Sequence, residues 1–224
     1  MNNIIVKEVA TRRHLKKFIN FPNNLFKDVQ TYIPCMVSDE MKLLTSKNPS
    51  LEHSDLKLFL AFDNNKIVGR VAAIINHTSN SRWNKRAVRF GWCDFVQDYD
   101  VFKLLMDKVV EFGKHQGMNE IEGPMGFTDM DKECWAIDNF DARQNLSTLY
   151  NPEYYVKYAE QYGMEIKCKW QQYKLPANQP VPPKVERINR LILEKYNLKL
   201  LKFKKRKEFY PYARKFFLFF ENDF

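Results

Sequence analysis

Between Lys57 and Asn76 the chain reads KLFLAF, DNNK, IVGRVAAIIN. Two apolar runs flank four turn-forming residues, a pattern that predicts a β-hairpin inside a largely buried sheet. Ile4 to Val9 alternates apolar and polar positions and reads as a first strand; Arg86 to Asp94 supplies another. Helical spacing appears where Leu15, Phe18 and Ile19 share a face behind Thr11, an N-cap residue, and FPNN at 21–24 is expected to end that helix. A short helix is expected from Ser38, with acidic residues in its first turn. A longer one runs from Val101 to Gln116, turning Leu104, Leu105, Val109 and Phe112 inward and stopping at Gly117. Glu120 to Gly123 is a short strand ended by Pro124, since proline cannot continue a ladder. Met125 to Tyr150 shows no periodicity and is longer than ordinary connections, which marks it as a candidate functional loop. Asn151 and Pro152 open a helix through Tyr162, closed by Gly163, and Glu165 to Leu175 has the makeup of one or two final strands.

This order, a hairpin first and then alternating helices and strands, predicts an α/β fold with a mixed sheet. PANQPVPP then reads as an extended linker. The organisation expected is a domain over residues 1–176, a proline-rich linker over 177–183, and a helix-strand-helix extension over 184–224, with helices at Lys184–Tyr196 and Glu208–Phe220 and a strand at Leu198–Phe203.

Charge is unevenly placed along these parts. The chain carries 36 Lys+Arg and 27 Asp+Glu, of which residues 178–224 hold 12 and 5, so the tail carries +7 and the rest +2. The basic run Lys202 to Lys207 could touch phosphates, but such runs are usually solvated faces, and nucleic acid is not an expected partner. With 45% hydrophobic and 15% aromatic residues the composition is that of a folded protein. No apolar run approaches the roughly 20 residues of a membrane span, and the N-terminus lacks a secretory h-region. A cytoplasmic protein with no membrane partner is the expectation. The four cysteines and four histidines are scattered without metal-ligand spacing, so no metal is expected, and no two of the seven glycines form a GxG, which removes the dinucleotide fingerprint.

Three strings, KIVGRVAAIINHTSN, EIEGPMGFTDMD and TLYNPEYYVKYAEQYGM, stand in this order along the chain. With the element order they resemble a bacterial group of GNAT-like proteins, the acyl-CoA N-acyltransferase superfamily, over roughly residues 1–175. The resemblance implies a GNAT fold, an acyl-CoA donor (acetyl-CoA or another), and a small-molecule amine as acceptor. It also implies that a second GNAT-like domain opens in the extension. It places the turn that holds the pyrophosphate at DFVQDYDVF, making Phe95, Val96 and Gln97 candidate cofactor contacts. That turn lacks the usual glycines and carries Asp98 and Asp100, whose charge opposes a pyrophosphate. The position where the family often has an acidic tyrosine is Ala159, between Tyr158 and Tyr162.

Acyl transfer to an amine needs a base and a proton donor. The carboxylates best placed for the base are Asp94 and Glu122 or Glu120, against the alternative that they are solvated strand ends. Tyr155, with Tyr150 and Tyr154, is a candidate acid or a packing residue. Cys134 is a candidate nucleophile or a structural thiol. Asn151 either caps a helix or contacts the cofactor. Asp129 and Asp131 lead an acidic loop suited to a cationic substrate, with Tyr150 beside it, or an exposed loop with no ligand. A non-catalytic GNAT-fold binding module is the competing reading. The aromatic run Phe216–Phe220 is expected to dock on the first domain or on a second copy in a homodimer.

Overall fold

The computed structural model describes residues 4–145 and 147–223. They divide into two compact units, Met1–Lys167 and Cys168–Phe224. The first is built on a five-stranded sheet in the order β1 (Ile4–Glu8), β2 (Ser54–Asp63), β3 (Lys66–Asn76), β4 (Ala87–Phe95), β5 (Glu120–Glu122). β1 to β4 pair antiparallel and β5 lies parallel to β4.

The expected hairpin is present. Lys57 faces Ala73 and Phe62 faces Ile67, and the two-residue turn holds Asn64 and Asn65 at φ 45° and 69°. Asparagine tolerates that left-handed region, so the DNNK sequence specifies the turn. β3 is buried from Val68 to Asn76 because helices cover both faces of the sheet. On one face Phe59, Ala61, Val71, Ala73 and Ile75 pack on α4 (Tyr99–His115) through Val101, Phe102, Leu105 and Val109. On the other, Leu58, Leu60, Ala72 and Ile74 meet Leu15, Phe18 and Ile19 of α1 (Arg12–Leu25). The residue alternation of the hairpin strands is thus sorted between two cores. A Cβ on Gly69 would come within 2.8 Å of Leu105 Cδ1, so this glycine lets α4 sit close on β3.

Thr11 caps α1 as expected, its Oγ1 accepting from His14 N–H at 3.2 Å. The helix does not stop at FPNN, however; it runs through Pro22 to Leu25. Proline at 22 removes the N–H that would have served the carbonyl of Phe18. Arg70, reaching across from β3, donates Nη1–H to that carbonyl at 2.9 Å. A charged residue in an apolar strand repairs the gap that a proline leaves in a helix.

Other boundaries shift modestly. α2 (Val37–Leu43) starts behind Met36 without a side-chain cap, so Ser38 lies inside the helix and is not its N-cap. A 3-10 turn over Pro49–Glu52 and α3 (His77–Arg82) were not expected from the sequence. α4 begins two residues early, with Asp98 Oδ1 accepting from Asp100 N–H at 2.9 Å. α5 (Glu153–Tyr162) ends at Gly163, φ 95°. The strands expected over Glu165–Leu175 and Leu198–Phe203 do not form; these segments have no regular secondary structure and are exposed, and no strand of the described residues pairs with them. A strand needs a hydrogen-bonded neighbour, which composition alone does not supply.

The second unit contains α6 (Pro183–Lys195) and α7 (Arg206–Asp223). Phe203 packs on Phe209 and Tyr212, with ring centroids 5.7 and 5.2 Å apart. Its described side chains are exposed to differing degrees, and Ala213 alone among them is half-buried. The side chain of Phe220, part of the expected aromatic patch, lies outside the described residues.

Candidate active site

β4 and β5 run together for only three residue pairs, Ala87 with Glu120 to Arg89 with Glu122. The chain stays beside β4 for one more bond, Met125 N–H to the carbonyl of Phe90 at 2.9 Å. Gly91 permits this approach, since a Cβ there would lie 2.4 Å from the Met125 carbonyl oxygen. Beyond it β4 bulges. Arg70 faces Asp94 and Ala72 faces Gly91, which leaves one extra residue on β4 and sets Trp92 at φ 44°. Past the bulge, the outer edge of β4 meets side chains instead of a strand.

Two tyrosines of α5 hold that edge. Tyr155 Oη accepts from Phe95 N–H at 2.9 Å, and Tyr154 Oη donates to the Phe95 carbonyl at 2.7 Å. Tyr155 stacks on Phe95 at 4.0 Å and meets Trp135 of the long loop edge-on at 5.2 Å. Burial, with the charge of Asp94, pushes the pKa of both phenols upward, so they remain protonated and act as hydrogen-bonding groups. A phenol so raised is a weaker acid toward a departing thiolate. Tyr155, expected as a catalytic acid or a packing residue, has the surroundings of a packing residue.

Asp94 is buried, and both guanidinium contacts of Arg70 fall on its Oδ2, Nε at 2.8 Å and Nη2 at 2.7 Å. Around it stand Tyr32 and Cys35 from the segment after α1. Tyr32 Oη donates to Asn23 Oδ1 at 2.7 Å, and the same oxygen accepts from Cys35 N–H at 3.0 Å. Burial and the nearby Asp94 charge raise the Tyr32 phenol, while burial and the Glu40 charge raise the Cys35 thiol. Trp92 Nε1 donates to Glu40 at 2.5 Å, tying the bulge to α2. Five separated stretches of sequence therefore converge on the end of β4. Asp94 was legible in advance; Arg70, Tyr32, Cys35 and Glu40 were not. The available signal was the lone arginine in IVGRVAAIIN, because a charge in an apolar strand demands a partner.

Glu122, the second candidate base, faces Lys167 at 2.9 Å, Lys85 at 3.4 Å and Arg89 at 3.7 Å. Burial acts to raise its pKa, but the bond and charge of Lys167, then Lys85 and Arg89, outweigh it, and the carboxyl lies below its usual range. Three cations make it a poor proton acceptor. Arg89 also donates to the Phe127 carbonyl at 2.8 Å and to Ser79 Oγ at 2.7 Å, anchoring the start of the long loop.

Of the expected cofactor contacts, Phe95 has its backbone engaged by the tyrosines, and Val96 N–H donates to the Val68 carbonyl at 2.9 Å. Gln97 is exposed. Asp98 N–H donates to the Val96 carbonyl at 2.7 Å, and Asp100 N–H to the Asp98 side chain. Three amide groups of this turn are thus spent internally. Asn151 does not cap α5, whose N-cap is Pro152; it is buried, accepting from Ala136 N–H at 2.7 Å and donating to the Ala136 carbonyl at 3.1 Å. It clamps the long loop. Asp131 Oδ2 likewise accepts from Phe127 and Thr128 N–H at 2.8 and 3.0 Å, holding the loop's turn, whereas Asp129 is exposed. Tyr150 packs against Phe26 and Tyr32 at 4.9 and 5.6 Å, next to the Asp94 cluster. Cys134 lies in the long loop at φ 64°. Among the described residues no group of three or more His, Cys, Asp or Glu is placed to hold a metal ion.

No protein-family model matches the chain. Over 159 residues it is 28% identical to Protein YghO of Escherichia coli K12, covering 71% of this chain and 41% of that protein. Over 163 residues it is 25% identical to the Bacterial ceramide synthase of Caulobacter vibrioides, covering 72% of this chain and 42% of that protein. The chain thus spans about two fifths of the length of these curated relatives. Among solved structures, the aminoglycoside acetyltransferase meta-AAC0020 from an uncultured soil metagenomic sample aligns with a TM-score of 0.49 at 16% identity, over 77% of this chain and 97% of that one. A predicted acetyltransferase of Clostridium acetobutylicum with acetyl-CoA aligns with a TM-score of 0.47 at 11% identity, over 76% of this chain and 96% of that one. The fold of the first unit is GNAT-like in its own strand order: four antiparallel strands, α4 crossing to a parallel β5, and an opening where β5 leaves β4.

Proposed function

We propose that the chain is part of an acyl-CoA-dependent N-acyltransferase acting on an amine. The observation that carries this reading is the opening between β4 and β5 beyond Gly91, with the Asp94 cluster at its end. In the reaction the amine nitrogen forms a bond to the thioester carbonyl, the carbon–sulfur bond breaks, and the proton lost by the amine ends on the CoA thiol. Asp94 takes the amine proton in this reading, through the carboxylate oxygen not held by Arg70. Tyr150 and Asp129 flank the acceptor. One relative is named for making ceramide, the amide of a long-chain amino alcohol with a fatty acid, which supports a long acyl donor and an amine on an aliphatic chain.

A second reading rests on a different observation: Tyr154 and Tyr155 already occupy the β4 edge, and the turn before α4 carries Asp98 and Asp100 in place of glycines. That favours a GNAT-fold module that binds a small molecule or protein without catalysis. Titration calorimetry with acetyl-CoA and with decanoyl-CoA separates the two. The acyltransferase reading expects decanoyl-CoA to bind at least tenfold tighter than acetyl-CoA, since each buried CH₂ contributes about 0.8 kcal/mol, and Asp98→Gly to tighten both. Absence of heat with either donor would leave the non-catalytic module.

A further inference from the structure

The net charge of the whole chain is +9, and all of it sits in one unit. Cys168–Phe224 holds 14 Lys+Arg against 5 Asp+Glu, a net +9, while Met1–Lys167 holds 22 of each and is neutral. The basic unit also carries most of the exposed large apolar side chains among the described residues. On α6, Val185, Ile188 and Ile192 share a face with Leu191 at its margin, and they are 41–56% exposed. Arg187 and Arg190 lie on the opposite side of α6, and on α7 the exposed aromatics Phe209, Tyr212 and Phe216 are interleaved with Lys207, Arg214 and Lys215. The basic string Lys202 to Lys207 leads from the connection between the helices into the first turn of α7.

We propose that the unit Cys168–Phe224 docks on an anionic lipid surface. A helix with aromatic and aliphatic residues on one face and lysine and arginine on the other lies in the plane of a bilayer interface, with the apolar face among the upper acyl chains and the cations at the headgroups. Each lysine or arginine near an anionic leaflet contributes about 1 kcal/mol. The cations here stand at the aromatic boundary: Lys195 Nζ lies 5.2 Å from the Tyr196 ring, and Lys215 Nζ 5.9 Å from that of Tyr212. Nucleic acid would use the cations but would leave the Val185–Ile192 face in water, so the combination selects lipid. No helix among the described residues is long and apolar enough to cross a membrane, and lying on one requires no span. The sequence expectation of no membrane partner rested on span length and on the N-terminus, neither of which bears on a helix lying at the surface. This proposal does not depend on the acyltransferase reading.

The test is co-sedimentation of the intact chain with vesicles of phosphatidylcholine alone and of phosphatidylcholine with about 30% phosphatidylglycerol, at about 0.1 M and about 0.5 M salt. The expected result is binding to the anionic vesicles only, weakened at high salt. Reversing Lys202, Lys204, Lys205 and Lys207 to Glu should cut binding more than tenfold. Ile188→Ser with Leu191→Ser should cut it while keeping the salt dependence of what remains, and circular dichroism confirms that each variant keeps its helices. Equal binding to neutral vesicles, no binding to either, an unaffected charge-reversal variant, or tighter binding to single-stranded DNA than to anionic vesicles would overturn the proposal. So would a light-scattering mass showing that the chain self-associates through this unit and that the dimer does not bind vesicles.

Discussion

Replacing Arg70 by Met tests whether one guanidinium joins the candidate site to the core. The side chain is 7% exposed and its partner Asp94 12%. Removing it strands a buried carboxylate, which costs about 3–5 kcal/mol, and leaves the Phe18 carbonyl, 2.9 Å from Arg70 Nη1, without a donor. An orphaned buried acceptor costs about 1–3 kcal/mol. The two losses share one residue and do not add fully, so the expected destabilisation is about 4 kcal/mol or more. At about 2–4 °C per kcal/mol for a unit of this size, the midpoint should fall by about 10 °C. The decisive assay is a double-mutant cycle with Pro22→Ala in urea unfolding. Alanine at this position restores the helical N–H that Pro22 lacks, so the Phe18 carbonyl no longer needs Arg70. Arg70→Met should then cost about 1–2 kcal/mol less in the Pro22→Ala background. A cost under about 1 kcal/mol for the single variant, or additivity within about 0.5 kcal/mol, would refute the reasoning.

Two further outcomes follow from the same geometry. Tyr155→Phe leaves the Phe95 N–H without its acceptor and should destabilise by about 1–3 kcal/mol; thermal denaturation reads this, and an unchanged midpoint would show that the edge is served another way. Glu122, held below the usual carboxylate range by Lys167, Lys85 and Arg89, contributes stability that is full above about pH 4.3, its unfolded value, and is lost as pH falls through its lower folded value. The stability gap between the wild type and Glu122→Gln, expected at about 1–2 kcal/mol near neutrality, should therefore shrink as pH falls below about 4.3, and a gap that is undiminished at about pH 3 would contradict the network.

Most of the sheet could be read from the sequence because its signals are local. The DNNK turn, the buried hairpin strands and the helix behind Asp98 each carry their pattern within a few residues. FPNN misled because the partner that makes Pro22 tolerable is Arg70, 48 positions away in the chain and on the other side of the core. Asn151 was read for capping because it precedes a helix, whereas its partner Ala136 lies 15 residues back in an aperiodic loop. The site shows the same division. Asp94 is visible in the sequence as a carboxylate at a strand end and Tyr155 as a phenol on the last helix of the first unit, but that Arg70 grips one and Phe95 N–H binds the other depends on the β4 bulge, which no local pattern marks.

The measurement that tests acyl transfer most directly is product analysis after the intact chain is incubated with decanoyl-CoA and a long-chain amino alcohol such as sphinganine. The account predicts one amide formed per CoA thiol released, with both lost in Asp94→Asn. Thiol release without amide, or neither product when calorimetry shows the donor bound, would contradict it.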